Sequence, residues 1–328
     1  MRVWPIARMV VSSSLALWAL AASYLGAAES SSLLQAKRDV EAKGFLFAAS
    51  HDEIIAKAKQ EAALRVLYSF EPETMKAFKD GFGKKYPFIN LTVEEIAGTD
   101  SAQRFIMELK AGRGANWDLT HLSSEFYSDY APYLEKIDLL GMAQQGVLQI
   151  QPPMIHPKNR NALAAATILG SIVYNKTLLP PQQAPKGWED LLKPEFKGKK
   201  FLAELRSSTI AGLIPAKGKE WVLDYARRLA AQDPIWVRGA TRFLSAMNTG
   251  EYTLHSGVYY HTAIRLKQRG AHNLEVALAE PVPVRLNQPY GIEQGAKNRH
   301  AALLFLEYIC SAEGQQLIDE IEPVKSSI

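Results

Sequence analysis

Several features that would each define a class of protein are scarce in this sequence. There is one cysteine, Cys310, so the chain cannot form an internal disulfide and must rely on packing. Cys310 lies in an apolar run, which favours a small buried side chain on a helix over a nucleophile or a metal ligand.

A strong excess of one charge is also missing. The 38 Lys and Arg residues face 34 Asp and Glu residues, a formal charge of +4, which gives no support to nucleic-acid binding. Beyond residue 28 no apolar run is long enough to cross a bilayer, although 47% of the residues are hydrophobic. This composition predicts a globular protein.

Signatures of common enzymes are absent as well. The sequence contains no G-x-S-x-G, G-x-x-x-x-G-K-[ST] or H-E-x-x-H pattern. His255 and His261 are six residues apart, which does not suit a zinc site, and we predict a histidine in a strand end and one in a helix start. We therefore predict that the protein is not an enzyme.

The first 28 residues have the three parts of a secretory signal peptide. Arg2 and Arg8 form a basic region, residues 9–25 are mostly apolar, and residues 26–28 are small. This pattern predicts export and cleavage near Glu29 rather than a membrane anchor.

Strand and helix patterns alternate in the rest of the chain. Ser50 and Glu53 have capping-box spacing before a helix, and Thr74 to Lys85 has amphipathic helical spacing. The β-prone runs are residues 65–70, 90–96, 117–122, 167–175 and 200–205. The last helix is predicted to run without a break from Ala301 to Ile321.

Short connections between alternating strands and helices predict an α/β fold with an open, mostly parallel sheet flanked by helices. About 300 residues after the leader exceed what one core usually organises, so two lobes are expected. Ligands bind at the carboxyl ends of such strands. The loops predicted to lie there are residues 69–73, 98–101 and 123–127.

Several stretches follow one another in the order of a known family. They are residues 58–70 (AKQEAALRVLYSF), 112–119 (GRGANWDL), 173–176 (VYNK), 186–191 (KGWEDL), 196–199 (FKGK), 301–305 (AALLF) and 311–315 (SAEGQ). Through them the chain resembles the bacterial extracellular solute-binding proteins of the type II periplasmic fold, in the cluster that contains the ferric-ion-binding proteins.

The resemblance implies two α/β lobes, each an open mostly parallel sheet flanked by helices, joined by a hinge of crossing strands. Lobe one would comprise residues 29–157 plus 285–328, and lobe two residues 158–284. It further implies a monomeric periplasmic component of an ABC transporter, which captures a small ligand between the lobes and delivers it to an inner-membrane permease and its ATPase. An enzyme or a sensor partner on the same fold remains an alternative.

The tandem tyrosines Tyr259 and Tyr260 are the sharpest local feature. In ferric-ion-binding relatives such a pair, placed just before a helix, supplies two phenolate ligands to Fe³⁺, a hard ion that prefers oxygen donors. Neighbours on a strand point to opposite faces, so both can reach one ion only if the backbone turns, as Gly257 permits. The resemblance aligns Glu71 and Glu125 as further metal ligands.

A second group of predicted ligand-binding residues consists of Arg206, Ser207 and Ser208. An arginine and hydroxyls at a helix start suit an anion, either a synergistic anion bound with iron or the acidic group of another solute. Ser171 is also predicted to bind ligand, although residues 164–171 lack the arginine or tyrosine that many iron-binding members carry there. No resident cofactor is expected.

The ligand therefore stays open between ferric iron, as leading candidate, and small organic or anionic solutes. Thiamine phosphates, phosphonates and organic acids fit the anion site, and thiamine itself is a further small organic alternative. Polyamines fit Glu71, Glu73 and Glu125, which are predicted to lie near the cleft.

Overall fold

The computed structural model describes residues 33–96, 98–113, 116–121, 126–198, 200–205 and 208–326, with the backbone alone at residues 98, 99 and 286–288. The predicted signal peptide lies outside the described residues. So do three of the predicted ligand-binding residues, which are Glu125, Arg206 and Ser207.

The described residues form one mixed sheet of nine strands. The strands are β1 (Ala63–Tyr68), β2 (Asn90–Glu95), β3 (Leu119–His121), β4 (Ala162–Asn175), β5 (Phe201–Glu204), β6 (Ile235–Val237), β7 (Leu254–Tyr259), β8 (Leu274–Ala277) and β9 (Val284–Ile292). Their order is β2-β1-β3-β9-β4-β7-β5-β6, with β8 also paired to β4. As predicted, β1 is parallel to β2 and β3, and β5 is parallel to β6 and β7.

Helices cover the faces of this sheet, and among the described residues none is both long and apolar enough to cross a membrane. The α-helices are α1 (33–41), α2 (His51–Glu61), α3 (Pro72–Lys85), α4 (Gly98–Lys110), α5 (Tyr127–Tyr130), α6 (Leu139–Gln144), α7 (Ser208–Ala211), α8 (Ile214–Lys217), α9 (Lys219–Ala230), α10 (Thr241–Asn248), α11 (Tyr260–Gln268), α12 (Arg299–Cys310) and α13 (Ala312–Ile321).

Strand β4 changes partners along its length. Its first part, from Ala162 to Leu169, pairs antiparallel with β9, and its second part, from Gly170 to Asn175, pairs with β7 and β8. The sequence predicted this strand from residue 167 onwards and missed its first part, because residues 162–166, mostly alanine, have no β-branched side chain to signal it. Pairing with β9 overrides that weak local preference.

Buried apolar side chains form separate clusters on the two sides of β4 and β9. The clusters on one side draw on residues 47–166 and 290–318, including Phe78, Phe82 and Phe305. Those on the other side draw on residues 172–279 and include Trp188. Each side thus has its own core, and β4 and β9 run from one to the other.

Capping residues set two helix boundaries. Ser50 accepts a hydrogen bond from the Glu53 N–H, as predicted, while the Glu53 carboxylate accepts from the Ala49 N–H. The prediction of one unbroken C-terminal helix is wrong. Ser311 ends α12 and caps α13 through the Gly314 N–H, since its side chain competes with continued helical bonding. Cys310 is buried at the end of α12, as predicted.

Candidate ligand-binding site

The loop that follows β1 lies beside a buried histidine. His121, at the end of β3, is fully buried, and its ring stacks on Tyr290 with 4.5 Å between centroids. Its Nδ1 atom accepts a hydrogen bond from the Ser69 N–H at 3.0 Å. Burial and the positive charge of Lys325 hold the pKa of His121 well below its usual value, so the ring is neutral at physiological pH.

Glu71 lies at the N-cap position of α3, but its side chain does not cap the helix. The Glu71 N–H donates to Oε1 of Glu322 at 3.2 Å. The Glu71 carboxylate instead reaches Arg265 on α11, where Oε1 and Nη1 are 2.6 Å apart. This predicted ligand residue therefore forms an ion pair across the two sides of the molecule.

The C-terminal segment contributes a buried ion pair next to this contact. Lys325 pairs with Glu322, and both side chains are almost fully buried. The other oxygen of Glu322 accepts from the Thr74 hydroxyl at 2.8 Å, and the Lys325 ammonium lies 4.8 Å from the centre of the Phe70 ring. Burial lowers the pKa of Lys325.

The same segment is attached to a crossing strand. The Thr167 N–H of β4 donates to the Lys325 carbonyl at 2.7 Å, and the Lys325 N–H donates to Asp319 at 2.9 Å. The end of the chain thus connects β4 to the loop that carries Glu71.

The tandem tyrosines lie where β7 ends and α11 begins. Tyr259 is the last residue of β7, and Tyr260 is the first residue of α11, so the helix predicted after the tyrosines begins one residue earlier, at Tyr260 itself. Gly257 has φ of +85°, and the register with β4 shifts at this point, so that β7 bulges. The backbone therefore departs from a regular strand just before the tyrosines, as the sequence permitted.

The Tyr259 hydroxyl has two polar neighbours. Ser208 Oγ lies 2.8 Å from it, and Nη2 of Arg285 donates a hydrogen bond to it at 3.3 Å. Tyr260 is half-buried, and among the residues that the structure describes its hydroxyl has no hydrogen-bond partner. The Tyr259 ring also stacks on His261 with 5.9 Å between centroids.

His261 joins the tyrosines to the charged residues. Burial and the positive charges of Lys325 and Arg265 hold the pKa of His261 well below its usual value. The His261 ring stacks on Tyr259 and lies within electrostatic reach of Lys325 and Arg265, so we treat the two groups as one candidate site. We call it the hinge site, defined by Glu71, Tyr259, Arg265, Arg285 and Lys325, together with Tyr260, which follows Tyr259 in the chain.

Two other predicted residues differ in their surroundings. Ser208 begins α7 and faces Tyr259, inside the hinge site. Ser171 is fully buried in β4, and its hydroxyl donates a hydrogen bond to the Val258 carbonyl at 3.0 Å. The Ser171 hydroxyl thus already has a partner within the sheet. The two histidines, His255 on β7 and His261 in the first turn of α11, are placed as predicted.

Sequence reasoning missed three cations of the hinge site, Arg265, Arg285 and Lys325. Arg265 could have been found from α11, since it lies four residues after His261 and therefore on the same helical face. Arg285 adjoins the predicted lobe boundary. Nothing in the local sequence of Lys325 indicates burial.

The described residues contain no group of three or more His, Cys, Asp or Glu side chains placed to hold a metal ion. The iron site predicted from the sequence thus depends on two phenols, on a glutamate now paired with Arg265, and on Glu125.

Comparison with known families decides the class of this protein. The family described as "Bacterial extracellular solute-binding protein" matches residues 73–323, which are most of the chain. The chain belongs to this family. It is therefore a solute-binding component of an ABC transporter, and the family to which it belongs consists of binding proteins.

Individual relatives of this solute-binding protein are distant. The Fe(3+)-binding periplasmic protein of Serratia marcescens is 22% identical over 264 residues, covering 77% of this chain and 75% of that protein. Iron-bound HitA from Pseudomonas aeruginosa is 19% identical, with a TM-score of 0.65 over 81% of this chain and 88% of HitA.

A third relative carries a different ligand. AfuA from Actinobacillus pleuropneumoniae, with fructose-6-phosphate bound, is 19% identical, with a TM-score of 0.58 over 80% of this chain and 84% of AfuA. These structures confirm the two-lobed periplasmic binding fold of this family member.

Proposed function

We propose that this protein captures a small solute between its lobes in the periplasm, without catalysis, and presents the loaded form to an ABC permease and its ATPase. The observation that carries the proposal is the hinge site, where charged and aromatic side chains from both sides of β4 and β9 meet. A ligand that contacts both sides stabilises the closed form, which a permease can then distinguish from the open one.

The division into lobes is part of this proposal. The sequence suggested boundaries at residues 157/158 and 284/285. The change of strand partners supports a first boundary between Leu169 and Gly170, and β9 begins at Val284, next to the second.

Ferric iron is the leading ligand. Tyr259 and Tyr260 are adjacent at a turn of the backbone, and phenolate oxygens suit Fe³⁺. Glu71 and Glu125 would complete the set, Glu71 only after leaving Arg265. A synergistic anion would lie near Ser208 and Arg285, with Arg206 and Ser207 as further partners. The iron-binding relatives support this choice.

A small anionic solute is the second candidate, because cations outnumber carboxylates in the hinge site. Arg265 pairs with Glu71 and Lys325 pairs with Glu322, whereas Arg285 donates to the Tyr259 hydroxyl. By count, the site carries one excess positive charge. An acidic group such as a phosphate, phosphonate or carboxylate would balance this charge. The same cations argue against a polyamine.

The experiment is a titration of the chelator-stripped protein, residues 29–328, with Fe³⁺ and bicarbonate. A visible charge-transfer band, lost in Tyr259→Phe and Tyr260→Phe, is the expected result. Tyr252→Phe is the matched control, since Tyr252 packs against Phe243 outside the hinge site. Without a band in the unmodified protein, iron is rejected, and a melting-temperature shift with phosphonates or thiamine phosphates would then identify the anionic class.

Export through a cleaved signal peptide belongs to the same proposal. The periplasmic fraction of a Gram-negative host should contain a chain whose intact mass corresponds to a start near Glu29. A full-length chain in the membrane fraction would contradict it.

A further inference from the structure

Arg265 lies between the two sides of the molecule and is largely hidden from solvent. Its side chain is 11% exposed, whereas that of Glu71, its partner at 2.6 Å, is 35% exposed. Arg265 is held on α11, while Glu71 lies at the edge of the other side. The carboxylate therefore has a way out to solvent that the guanidinium lacks.

Glu71 is not needed by its own helix. Its side chain makes no capping hydrogen bond, and its backbone N–H is already satisfied by Glu322. Pro72 follows at the first position of α3 and has no N–H to satisfy. Among the described residues, Arg265 is the only side chain within ion-pair distance of the Glu71 carboxylate.

The charges next to Arg265, with Arg285 left aside, balance only while Glu71 is in place. Arg265 and Lys325 face Glu71 and Glu322, so two cations meet two carboxylates. If Glu71 turns out to solvent, one uncompensated positive charge remains in a mostly buried region. A guanidinium in such a place favours the planar, two-oxygen contact that carboxylates and phosphates make.

We propose that Arg265 is a specificity-determining residue for an acidic group of the bound solute or anion, and that Glu71 occupies Arg265 as a resident competitor in the ligand-free protein. This inference rests on the proposed capture of a solute in the hinge site. It gives Glu71 the opposite role from that of an iron ligand, since an iron ligand improves binding and a competitor weakens it.

A second ion pair provides a matched control. Arg269 and Glu73 are 3.5 Å apart, four residues after Arg265 and two after Glu71, and both side chains are more than half exposed. Glu73→Gln removes the same charge from the same helix end without freeing Arg265.

The test is isothermal titration of the stripped protein with citrate and with inorganic phosphate at low, fixed ionic strength. Glu71→Gln should tighten binding of at least one of the two anions by about tenfold, and Arg265→Gln should weaken it by about tenfold or more. In the double variant the tightening should disappear, because the freed guanidinium is gone. Glu73→Gln should change affinity by less than about twofold.

Arg265→Lys keeps the charge but loses the planar fork, so its affinity should fall between those of the unmodified protein and Arg265→Gln. Weaker anion binding in Glu71→Gln, or equal tightening in Glu73→Gln, would overturn the inference. So would the absence of anion binding in both the unmodified protein and Glu71→Gln. An iron charge-transfer band in those same samples would leave the proposed function standing, which separates the two failures.

Discussion

The two sides of the hinge site are built differently. On the side of β1 and α3, Glu322 and Lys325 are almost fully buried, paired with each other, and tied to Thr74 and Thr167. On the side of β7 and α11, Tyr259 and Tyr260 are half-buried and have few polar contacts.

From this contrast we infer that the first side is structural and that the second is available to a ligand. The buried pair is satisfied by the chain itself, so removing one partner leaves a charge without compensation. Among the described residues the Tyr259 hydroxyl has two hydrogen-bond neighbours and the Tyr260 hydroxyl has none, so a ligand that binds these hydroxyls displaces few contacts. Substitutions should therefore affect stability strongly on the first side, and ligand binding on the second.

The largest effect is expected at the buried pair. Glu322→Ala should lower the free energy of unfolding by about 3–5 kcal/mol, because Lys325 would remain buried without its counter-charge. Urea denaturation measures this loss. The double variant Glu322→Leu with Lys325→Met removes both charges and should lose clearly less; an equal loss would show that packing rather than charge is responsible.

The next effect is expected at the bulge before the tyrosines. Gly257→Val should lower the free energy of unfolding by about 3 kcal/mol, since a β-branched residue is strained at a φ of +85°. Gly83→Ala is the control, because Gly83 lies within α3 and the added methyl group has nothing near it. This variant should raise the free energy of unfolding by about 0.5–1 kcal/mol. Thermal and urea unfolding compare the two variants. If Gly257→Val were as stable as the unmodified protein, a positive φ at this position would not be required.

The third expected effect depends on pH. Burial lowers the pKa of His255 to about 4 from an unfolded value of 6.5. The unfolded state therefore binds more protons in this window, so the contribution of His255 is complete above pH 6.5 and is lost as the pH falls toward 4. From pH 7 to pH 5 the loss should be about 2 kcal/mol.

His255→Gln removes this titration while keeping a polar group near the Ser256 carbonyl. Between pH 7 and pH 5 both proteins should lose stability, but the loss in this variant should be smaller by about 2 kcal/mol, because the contribution of His255 is gone. Identical pH dependence in the two proteins would mean that His255 is not titrating there.

The smallest effect on stability is expected at the tyrosines. Tyr259→Phe should lower the free energy of unfolding by about 1 kcal/mol, through its lost contacts with Ser208 and Arg285. Tyr260→Phe should change it by less than about 0.5 kcal/mol. Differential scanning calorimetry measures both, and a large loss in either variant would place that phenol in the structural part of the site.

Local sequence patterns predicted much of the fold. The alternation of strands and helices, the cap at Ser50, the amphipathic face of α3 and the strand-to-helix junction at Tyr259 and Tyr260 all concern residues within a few positions of one another. Helical and strand periodicities act over that range, so these features are visible in the sequence.

The sequence alone was therefore enough to predict the kind of fold, the family, and a helix next to the tandem tyrosines. Which charges meet became visible only in the folded chain, where Glu71 pairs with Arg265 and the Lys325 ammonium lies over the Phe70 ring. The physical reason is that these partners come from distant parts of the chain. The paired strands β4 and β9, which run between the cores, bring these partners together, and local secondary-structure propensity cannot predict such long-range contacts.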